Sequence, residues 1–266
     1  MNQTRQKYGN WALVAGAAEG IGEGFTTVLA EMGFNIILVD QNLAAMNTLA
    51  INIMQNHNIE TRILRLDLID GDSAAKCLDA AKSVGARLLV YVAAYSRVKR
   101  FSELKSDDLD GFLNINCRTL LHLVHGFSNH LIQENKNGGI ILLSSLAGLI
   151  GPQYVATYAA TKAFIIRLAE ALRDELKGKR IDILACAAGT VSTPTYRKSK
   201  PSFEKMKPPV MQPDEVAGYA ISRLGKASLC IPGLSNRLTY FFLLKILPRS
   251  LASRLVNQAM KKMYDI

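Results

Sequence analysis

Short, mostly apolar runs alternate with helix-like stretches along most of this 266-residue chain. Within each run, polar and apolar residues do not alternate. A strand with such a continuous apolar run is buried on both faces, which is typical of a parallel sheet covered by helices. The pattern therefore predicts an α/β fold, a doubly wound parallel sheet with helices on both faces. The predicted strands are residues 11–15, 35–39, 61–66, 87–92, 139–144, 180–186 and 228–232.

The stretches between these runs carry apolar residues at helical spacing. Leu43, Met46, Leu49 and Ile53, for example, would lie on one side of a helix. No Pro-, Ser- or Gly-rich linker divides the chain, so we expect a single domain. Its main part would be residues 1–233, with residues 234–266 as an amphipathic helical extension packed on it. Other helices are expected up to about residue 32, near 73–83, at about 106–133 and around 158–162.

Several unusual residues come at the end of the predicted strands or just after them. They are Gly16, Asp40, Asp67, Ser145 and Gly189, after the first, second, third, fifth and sixth strands. The carboxyl ends of parallel strands share one edge of a sheet, and open α/β sheets bind their ligands there. The sequence therefore predicts one site along that edge.

The turn after the first strand reads GAAEGIG at residues 16–22. Glycines allow a tight turn and a close approach to a pyrophosphate, which then rests on the N-terminus of the next helix. At the end of the second strand, Asp40 could accept hydrogen bonds from ribose hydroxyls and would repel a 2′-phosphate. Gln41 follows it, and the loop carries Glu19 but no Lys or Arg. These residues predict NAD rather than NADP, and Asp67 could similarly meet the adenine amino group.

Tyr158 and Lys162 are four residues apart in a segment rich in Ala and Gly. On a helix they would share a face, and their small neighbours would admit a flat ligand or another backbone. Ser145 lies thirteen residues before Tyr158. The same residues also fit a buried helix whose Lys stem packs on apolar surface, so this segment alone leaves both interpretations open.

Together these motifs resemble the short-chain dehydrogenase/reductase family over Trp11 to about Gly233. The resemblance implies a Rossmann-like fold, and its weaker features are similar to the branch of 3-oxoacyl-CoA reductases and 17β-hydroxysteroid dehydrogenases. It implies Asn116, Ser145, Tyr158 and Lys162 as catalytic residues. The implied cofactor contacts are Gly16, Glu19, Gly20, Ile21, Gly22, Asp40, Asp67, Leu68, Ala93, Tyr158, Lys162, Gly189, Val191 and Thr193.

The resemblance also implies a mechanism. Tyr158 would move a proton to or from the substrate oxygen while a hydride moves to or from nicotinamide. Lys162 would lower the phenol pKa and hold the nicotinamide ribose. Ser145 would orient the substrate oxygen, and Asn116 would hold a water that links Lys162 to solvent.

Three positions depart from the family pattern. Ala15 stands where the family has Thr, Tyr91-Val92-Ala93-Ala94 replaces Asn-Asn-Ala-Gly, and Ala188 replaces a Pro. The Thr and the Asn-containing segment normally brace each other, so we expect a less rigid cofactor floor. The alternative that these losses favour is a non-catalytic dinucleotide-binding sensor or scaffold.

The net charge is +10, and five basic residues crowd the segment 192–212. No nucleic-acid motif accompanies this charge, so we expect no nucleic-acid partner. The long 192–212 segment is expected to close over substrate, its cations meeting an anionic group or simply solvent. Its apolar residues and those of the tail predict a bulky hydrophobic substrate. They are Tyr196, Phe203, Met206 and Val210, with Leu234, Leu238, Phe241 and Phe242 in the tail.

The basic, amphipathic tail could pack on the domain, form a homodimer or homotetramer interface, or touch an anionic membrane peripherally. The apolar run at 238–247 is too short for the roughly 20 residues that span a bilayer. No apolar segment typical of a secretory signal follows the first basic residues, so we expect a cytoplasmic protein.

Four widely spaced cysteines form no CxxC pair and read as small core residues. His122 and His125 have a spacing that a metal site could use. No Cys or carboxylate completes a matching motif, so the sequence predicts no metal site.

Overall fold

The computed structural model describes residues 3–198 and 209–264. Its centre is a parallel seven-stranded sheet with the order β3-β2-β1-β4-β5-β6-β9, which confirms the predicted doubly wound topology. Two further short strands, β7 and β8, pair with each other. The strands are β1 (Trp11–Ala15), β2 (Asn35–Asp40), β3 (Thr61–Arg65), β4 (Leu88–Tyr91), β5 (Gly138–Ser145), β6 (Ile181–Ala188), β7 (Thr190–Val191), β8 (Val210–Met211) and β9 (Leu229–Cys230).

Helices cover both faces of the sheet. The helices are α1 (Gln3–Tyr8), α2 (Ile21–Glu31), α3 (Leu43–Asn56), α4 (Ser73–Val84), α5 (Ser106–Leu113), α6 (Leu120–Gln133), α7 (Ala147–Ile150), α8 (Ala156–Lys177), α9 (Pro194–Lys198), α10 (Pro213–Arg223), α11 (Leu234–Phe241) and α12 (Arg249–Tyr264). A 3₁₀ turn spans Phe101–Glu103, and π-helical turns span Asn114–Thr119 and Phe242–Ile246.

The two faces of the sheet form two separate apolar cores, because successive strand residues point to opposite sides. In β1, Ala12 and Val14 pack with α2, α3 and α10. Leu13 and Ala15 pack with α4, α6 and α8 on the other face. This is why the strands read as continuous apolar runs rather than as alternating ones.

The predicted helix at 106–133 is interrupted. Helices α5 and α6 are joined by the π-helical turn Asn114–Thr119, which contains Asn116. A π turn inserts an extra residue per turn and is frequent at functional sites. Helical periodicity alone could not show it, since the apolar spacing continues on both sides.

The predicted strand boundaries differ from those of the structure by at most two residues. The strand predicted at 61–66 ends at Arg65, and the strand at 87–92 is reduced to Leu88–Tyr91. The last strand is only Leu229–Cys230, and β6 extends to Ala188. Phe203 and Met206, expected to line the substrate site, lie outside the described residues, as do Lys200, Lys205 and Lys207.

The C-terminal extension contains α11 and α12. Helix α12 turns one face inward, with Ala252 buried and Val256, Met260 and Tyr264 partly buried at helical spacing. Asn257 on this face meets the loop between α7 and α8. The main-chain N–H of Gln153 donates to Oδ1 of Asn257 at 2.9 Å, and the Gln153 side chain donates to the main-chain carbonyl of Asn257 at 2.8 Å.

Within residues 3–198 and 209–264, no helix combines the length and the apolar character needed to cross a membrane. Over the same residues, no three His, Cys, Asp or Glu side chains come together as the ligands of a metal would.

Candidate active site

The glycine loop makes a tight turn between β1 and α2. Gly16 and Gly20 have φ angles of 85° and 58°, which favour glycine. A Cβ on Gly22 would lie 1.7 Å from the carbonyl oxygen of Gly16, so no side chain fits there. Helix α2 starts at Ile21, and no side chain caps its first turn. Its first N–H groups can therefore receive an anion such as a pyrophosphate.

Asp40 ties this loop to the end of β2. Its carboxylate accepts hydrogen bonds from the main-chain N–H groups of Ala18 at 3.1 Å and Asn42 at 3.0 Å. The Asn42 side chain in turn donates to Glu19 at 3.0 Å. Both predicted acids therefore lie together where an adenosine ribose would meet the strand end.

Sequence reasoning missed a cation at this place. The parallel register of β2 and β3 pairs Asp40 with Arg65, whose side chain is exposed. No Arg follows Asp40 in the chain, so the two residues are neighbours only because of strand pairing. Aligning the ends of the two predicted strands could have revealed it.

Residues 67 and 68 form an anchored turn after β3. The Asp67 carboxylate accepts from the Ile69 N–H at 3.0 Å and stays exposed. The Leu68 carbonyl accepts from the Thr119 hydroxyl at 2.8 Å, across 51 residues of chain. The turn is therefore held by the π-helical segment.

The segment after β4 is braced by Asn116. The buried Asn116 amide accepts from the Tyr95 N–H at 2.7 Å and donates to the Tyr95 carbonyl at 3.0 Å. It also donates to the Thr161 hydroxyl at 3.0 Å. Ala93 packs so close to the loop that a Cβ on Gly16 would lie 2.6 Å from its nitrogen. Asn116 therefore clamps the segment after β4 at Tyr95, and the less rigid cofactor floor stays a prediction.

This clamp changes the task of Asn116. Both N–H groups of its amide are used by Tyr95 and Thr161. A relay water beside Lys162, as the resemblance implies, would have to be held by an oxygen of this residue rather than by an amide N–H.

The predicted catalytic side chains meet at the end of β5 and the start of α8. Tyr158 and Ser145 share a hydrogen bond between their side chains. The Nζ of Lys162 lies 5.5 Å from the centre of the Tyr158 ring and donates to the Leu143 carbonyl at 2.7 Å. The Ser144 hydroxyl donates to the Lys162 carbonyl at 2.8 Å, which fixes α8 against β5.

Burial shifts the two titratable groups in opposite directions. It raises the pKa of Tyr158 to about 12, against a smaller lowering by the Ser145 hydrogen bond. It lowers the pKa of Lys162 to about 8, because the ammonium group is almost fully enclosed. Tyr158 is thus a proton donor at neutral pH, and the Lys162 cation is held at a cost in free energy.

The chain after β6 covers the glycine loop. A Cβ on Gly20 would lie 2.9 Å from the Thr193 methyl group. Val191 is buried in β7, and the Thr193 hydroxyl accepts from the Tyr196 N–H at 3.1 Å. Asn236 packs against Gly189. A Cβ on residue 189 would lie 2.7 Å from the Asn236 amide, so no larger residue fits there without displacing Asn236.

Tyr264, at the end of α12, is a candidate site residue that sequence reasoning missed. It acts electrostatically on both Tyr158 and Tyr196, adding to the rise in their pKa that burial causes first. Asn257 and Tyr264 are seven residues apart, two turns on one face of the helix. The helical spacing of the tail is visible in the sequence, but where the tail packs is not.

The site fits a dinucleotide on its own chemistry. It combines an uncapped helix start behind a glycine turn, a carboxylate at the end of β2, and a lysine beside a tyrosine at the end of β5. These features suit a pyrophosphate, a ribose diol and a nicotinamide ribose, respectively. Because β1 lies between β2 and β5 in the sheet, the pyrophosphate would lie between the two riboses along the edge.

Comparisons with known proteins agree with this geometry. Residues 10–203 match the family model described as short chain dehydrogenase. The chain is 31% identical over 233 residues to a 7β-hydroxysteroid dehydrogenase of Clostridium sardiniense, covering 88% of this chain and 89% of the relative. A solved 7β-hydroxysteroid dehydrogenase has a TM-score of 0.86 at 27% identity, covering 96% and 99% of the two chains. The chain belongs to the short-chain dehydrogenase family.

The chain is also similar to other reductases and dehydrogenases at lower identity. A very-long-chain 3-oxoacyl-CoA reductase-like protein of Arabidopsis thaliana is 28% identical over 241 residues, 89% of this chain and 77% of that protein. A short-chain dehydrogenase from Sphingobium yanoikuyae, solved with NADPH, shares the fold with a TM-score of 0.78 at 20% identity, covering 90% and 96% of the chains. The predicted family resemblance is confirmed, and the protein is an oxidoreductase whose fold binds a nicotinamide dinucleotide.

Proposed function

We propose that the protein transfers a hydride between NAD and a bulky apolar secondary alcohol or ketone of the hydroxysteroid or acyl type. The observation that carries this proposal is the hydrogen bond between Tyr158 and Ser145 beside the buried Lys162. A protein that only binds a dinucleotide has no need for a paired phenol and hydroxyl at the nicotinamide end. A non-catalytic sensor or scaffold is the alternative.

The side chains have distinct tasks in this mechanism. Bound nicotinamide supplies or accepts the hydride. Ser145 holds the substrate oxygen, and Tyr158 gives it a proton during reduction or takes one during oxidation. Lys162, whose Nζ lies 5.5 Å from the centre of the Tyr158 ring, would hold the ribose hydroxyls of the bound cofactor. The Asn116 clamp keeps Tyr95 and the end of β4 in place beneath the cofactor.

The substrate class is inferred from α12 beside Tyr158, because the tail residues first expected to line the site, Leu234, Leu238, Phe241 and Phe242, are exposed in the structure. Tyr264, on the inner face of α12, lies close enough to Tyr158 to act on it electrostatically, and Val256 and Met260 are partly buried on the same helical face. These side chains are apolar apart from the Tyr264 hydroxyl, and pockets for larger organic ligands are likewise mostly apolar with a few polar groups. The similarity to 7β-hydroxysteroid dehydrogenases supports the same class.

NAD is expected to bind at least about tenfold more tightly than NADP, because a 2′-phosphate would face Asp40 and Glu19. Asp40→Ala combined with Gln41→Arg should reverse this order. Titration of both cofactors, followed by quenching of the single Trp, measures it. Asp174→Ala, an exposed carboxylate on α8, is the matched control. Equal or tighter NADP binding by the parent protein would refute the role given to Asp40 and point to Arg65 as a phosphate ligand.

Substrate binding should improve with apolar size. In a homologous series of secondary alcohols assayed with NAD, each added methylene should contribute up to about 0.8 kcal/mol until the pocket is full. Tyr264→Ala should weaken this gain for the longest members and leave the shortest ones unchanged. A flat or falling kcat/KM with chain length, or a preference for a sugar or polyol, would contradict the apolar pocket.

The assembly state and location are further parts of the proposal. We infer a homodimer or homotetramer in the cytoplasm, in line with the expectation from the sequence. Light scattering coupled to gel filtration measures the assembly state directly.

A further inference from the structure

The outer face of the C-terminal extension is apolar and exposed. Leu234, Leu238, Phe241, Phe242 and Ile246 are each half or more exposed, and their spacing places them along one side of α11 and the π-helical turn that follows. The two phenylalanine rings lie edge to face with centroids 5.8 Å apart. Leu251 and Leu255 are exposed one turn apart on α12. Contiguous exposed apolar surface of this kind marks an interaction site.

Cations surround this outer face. Six Lys or Arg side chains on the extension are exposed, and the sequence has no Asp or Glu from residue 227 to residue 264. The six are Arg237, Lys245, Arg249, Arg254, Lys261 and Lys262.

We propose that this outer face docks the protein on an anionic lipid surface. A helix that combines bulky apolar side chains with cations lies in the interface of such a membrane without spanning it. Each Lys or Arg near an anionic surface adds to the attraction. Phe241 and Phe242 would enter the boundary between headgroups and acyl chains, and Lys245 and Arg249 would meet the headgroups.

A second copy of the chain fits this face less well. A two-fold interface places the same patch of both subunits together. Here it would bring two sets of six cations close to each other with no carboxylate from the described extension between them. Anionic headgroups complement the charge that a second copy would repel.

The test is co-sedimentation of the full-length protein with vesicles. One set is phosphatidylcholine alone, and the other contains equal parts phosphatidylcholine and phosphatidylglycerol. We expect at least about tenfold stronger binding to the anionic vesicles, lost at about 0.5 M salt, where charges are screened. Phe241→Ser with Phe242→Ser should weaken binding at least about tenfold. Lys245→Gln with Arg249→Gln should weaken it by about fivefold or more.

The control is Ile51→Ser with Met54→Ser, which removes two exposed apolar side chains from α3 and should leave vesicle binding unchanged. Circular dichroism checks that each variant is folded. Absence of vesicle binding, or equal binding to neutral and anionic vesicles, would overturn the proposal. It would also be overturned if the phenylalanine variant converts a dimer to a monomer while vesicle binding stays the same.

Discussion

Tyr158→Phe is expected to lower kcat at least about 10³-fold while the cofactor affinity stays within about twofold. The substitution removes one oxygen, so it deletes the proton donor and the hydrogen bond to Ser145 but keeps the ring in place. Steady-state turnover on an authentic substrate and fluorescence titration of NAD separate the two effects.

The pH profile provides a second readout of the same role. Burial raises the pKa of Tyr158 to about 12 before any ligand binds. Alcohol oxidation by the parent protein should therefore rise with pH, since the proton-accepting phenolate becomes more abundant, and ketone reduction should not. The residual oxidation by Tyr158→Phe should lose this rise.

The control for this experiment is Tyr219→Phe, which alters a phenol on α10. It should keep full activity. Near-normal turnover by Tyr158→Phe would exclude Tyr158 as the acid and base. Cofactor binding without turnover, in the parent protein as well as in both variants, would favour the sensor hypothesis.

Lys162→Met is expected to inactivate the protein and yet to stabilise it. Burial lowers the pKa of Lys162 from 10.5 to about 8, so the folded state holds this cation unfavourably at neutral pH. The shift corresponds to a free-energy penalty on the order of 3 kcal/mol. Methionine removes the charge and fills a similar volume. It also leaves the Leu143 carbonyl without its donor, which costs about 1–3 kcal/mol. A gain of up to about 2 kcal/mol at pH 7 is therefore expected, together with loss of turnover and weaker NAD binding.

The sign of the pH dependence tests this account. Between pH 8 and 10.5 the unfolded chain binds the Lys162 proton and the folded chain releases it. The free energy of unfolding of the parent protein therefore rises with pH in this window relative to that of Lys162→Met, by up to about 3 kcal/mol. Urea denaturation of both proteins at several pH values measures the difference.

Lys177→Met, at the exposed end of the same helix, should show neither the pH-dependent difference nor the loss of activity. A variant less stable than the parent by the same amount at every pH would contradict the proposed burial cost. The predicted conflict between stability and function is typical of active sites, where a group is held in an unfavourable state because the chemistry needs it.

Much of the site could be predicted because it depends on local patterns. The glycine turn follows β1, Asp40 and Ser145 end β2 and β5, and Tyr158 and Lys162 are one helical turn apart. A continuous apolar run places the strand, and the parallel sheet then brings all strand ends to one edge. The continuous apolar runs of the strands and the helical spacing between them are enough to predict this placement.

The rest depends on contacts between distant parts of the chain. Arg65 lies beside Asp40 only because β2 and β3 pair in one particular register. Asn116 forms hydrogen bonds with the main chain of Tyr95, 21 residues away in the sequence. The residues next to Asn116 in the sequence do not show that both N–H groups of its amide are used. The departures from the family pattern predict a less rigid cofactor floor, and only the structure shows that Asn116 braces the segment at Tyr95.

The sequence by itself determined the sheet, its helices and the edge at which the strand ends meet, because hydrophobic periodicity and turn chemistry are properties of neighbouring residues. Only the tertiary structure decided how deeply Lys162 is enclosed and that α12 returns to bring Tyr264 near Tyr158. The physical reason is that burial and electrostatic coupling arise from the packing of segments far apart in the chain, here more than 100 residues between Tyr158 and Tyr264.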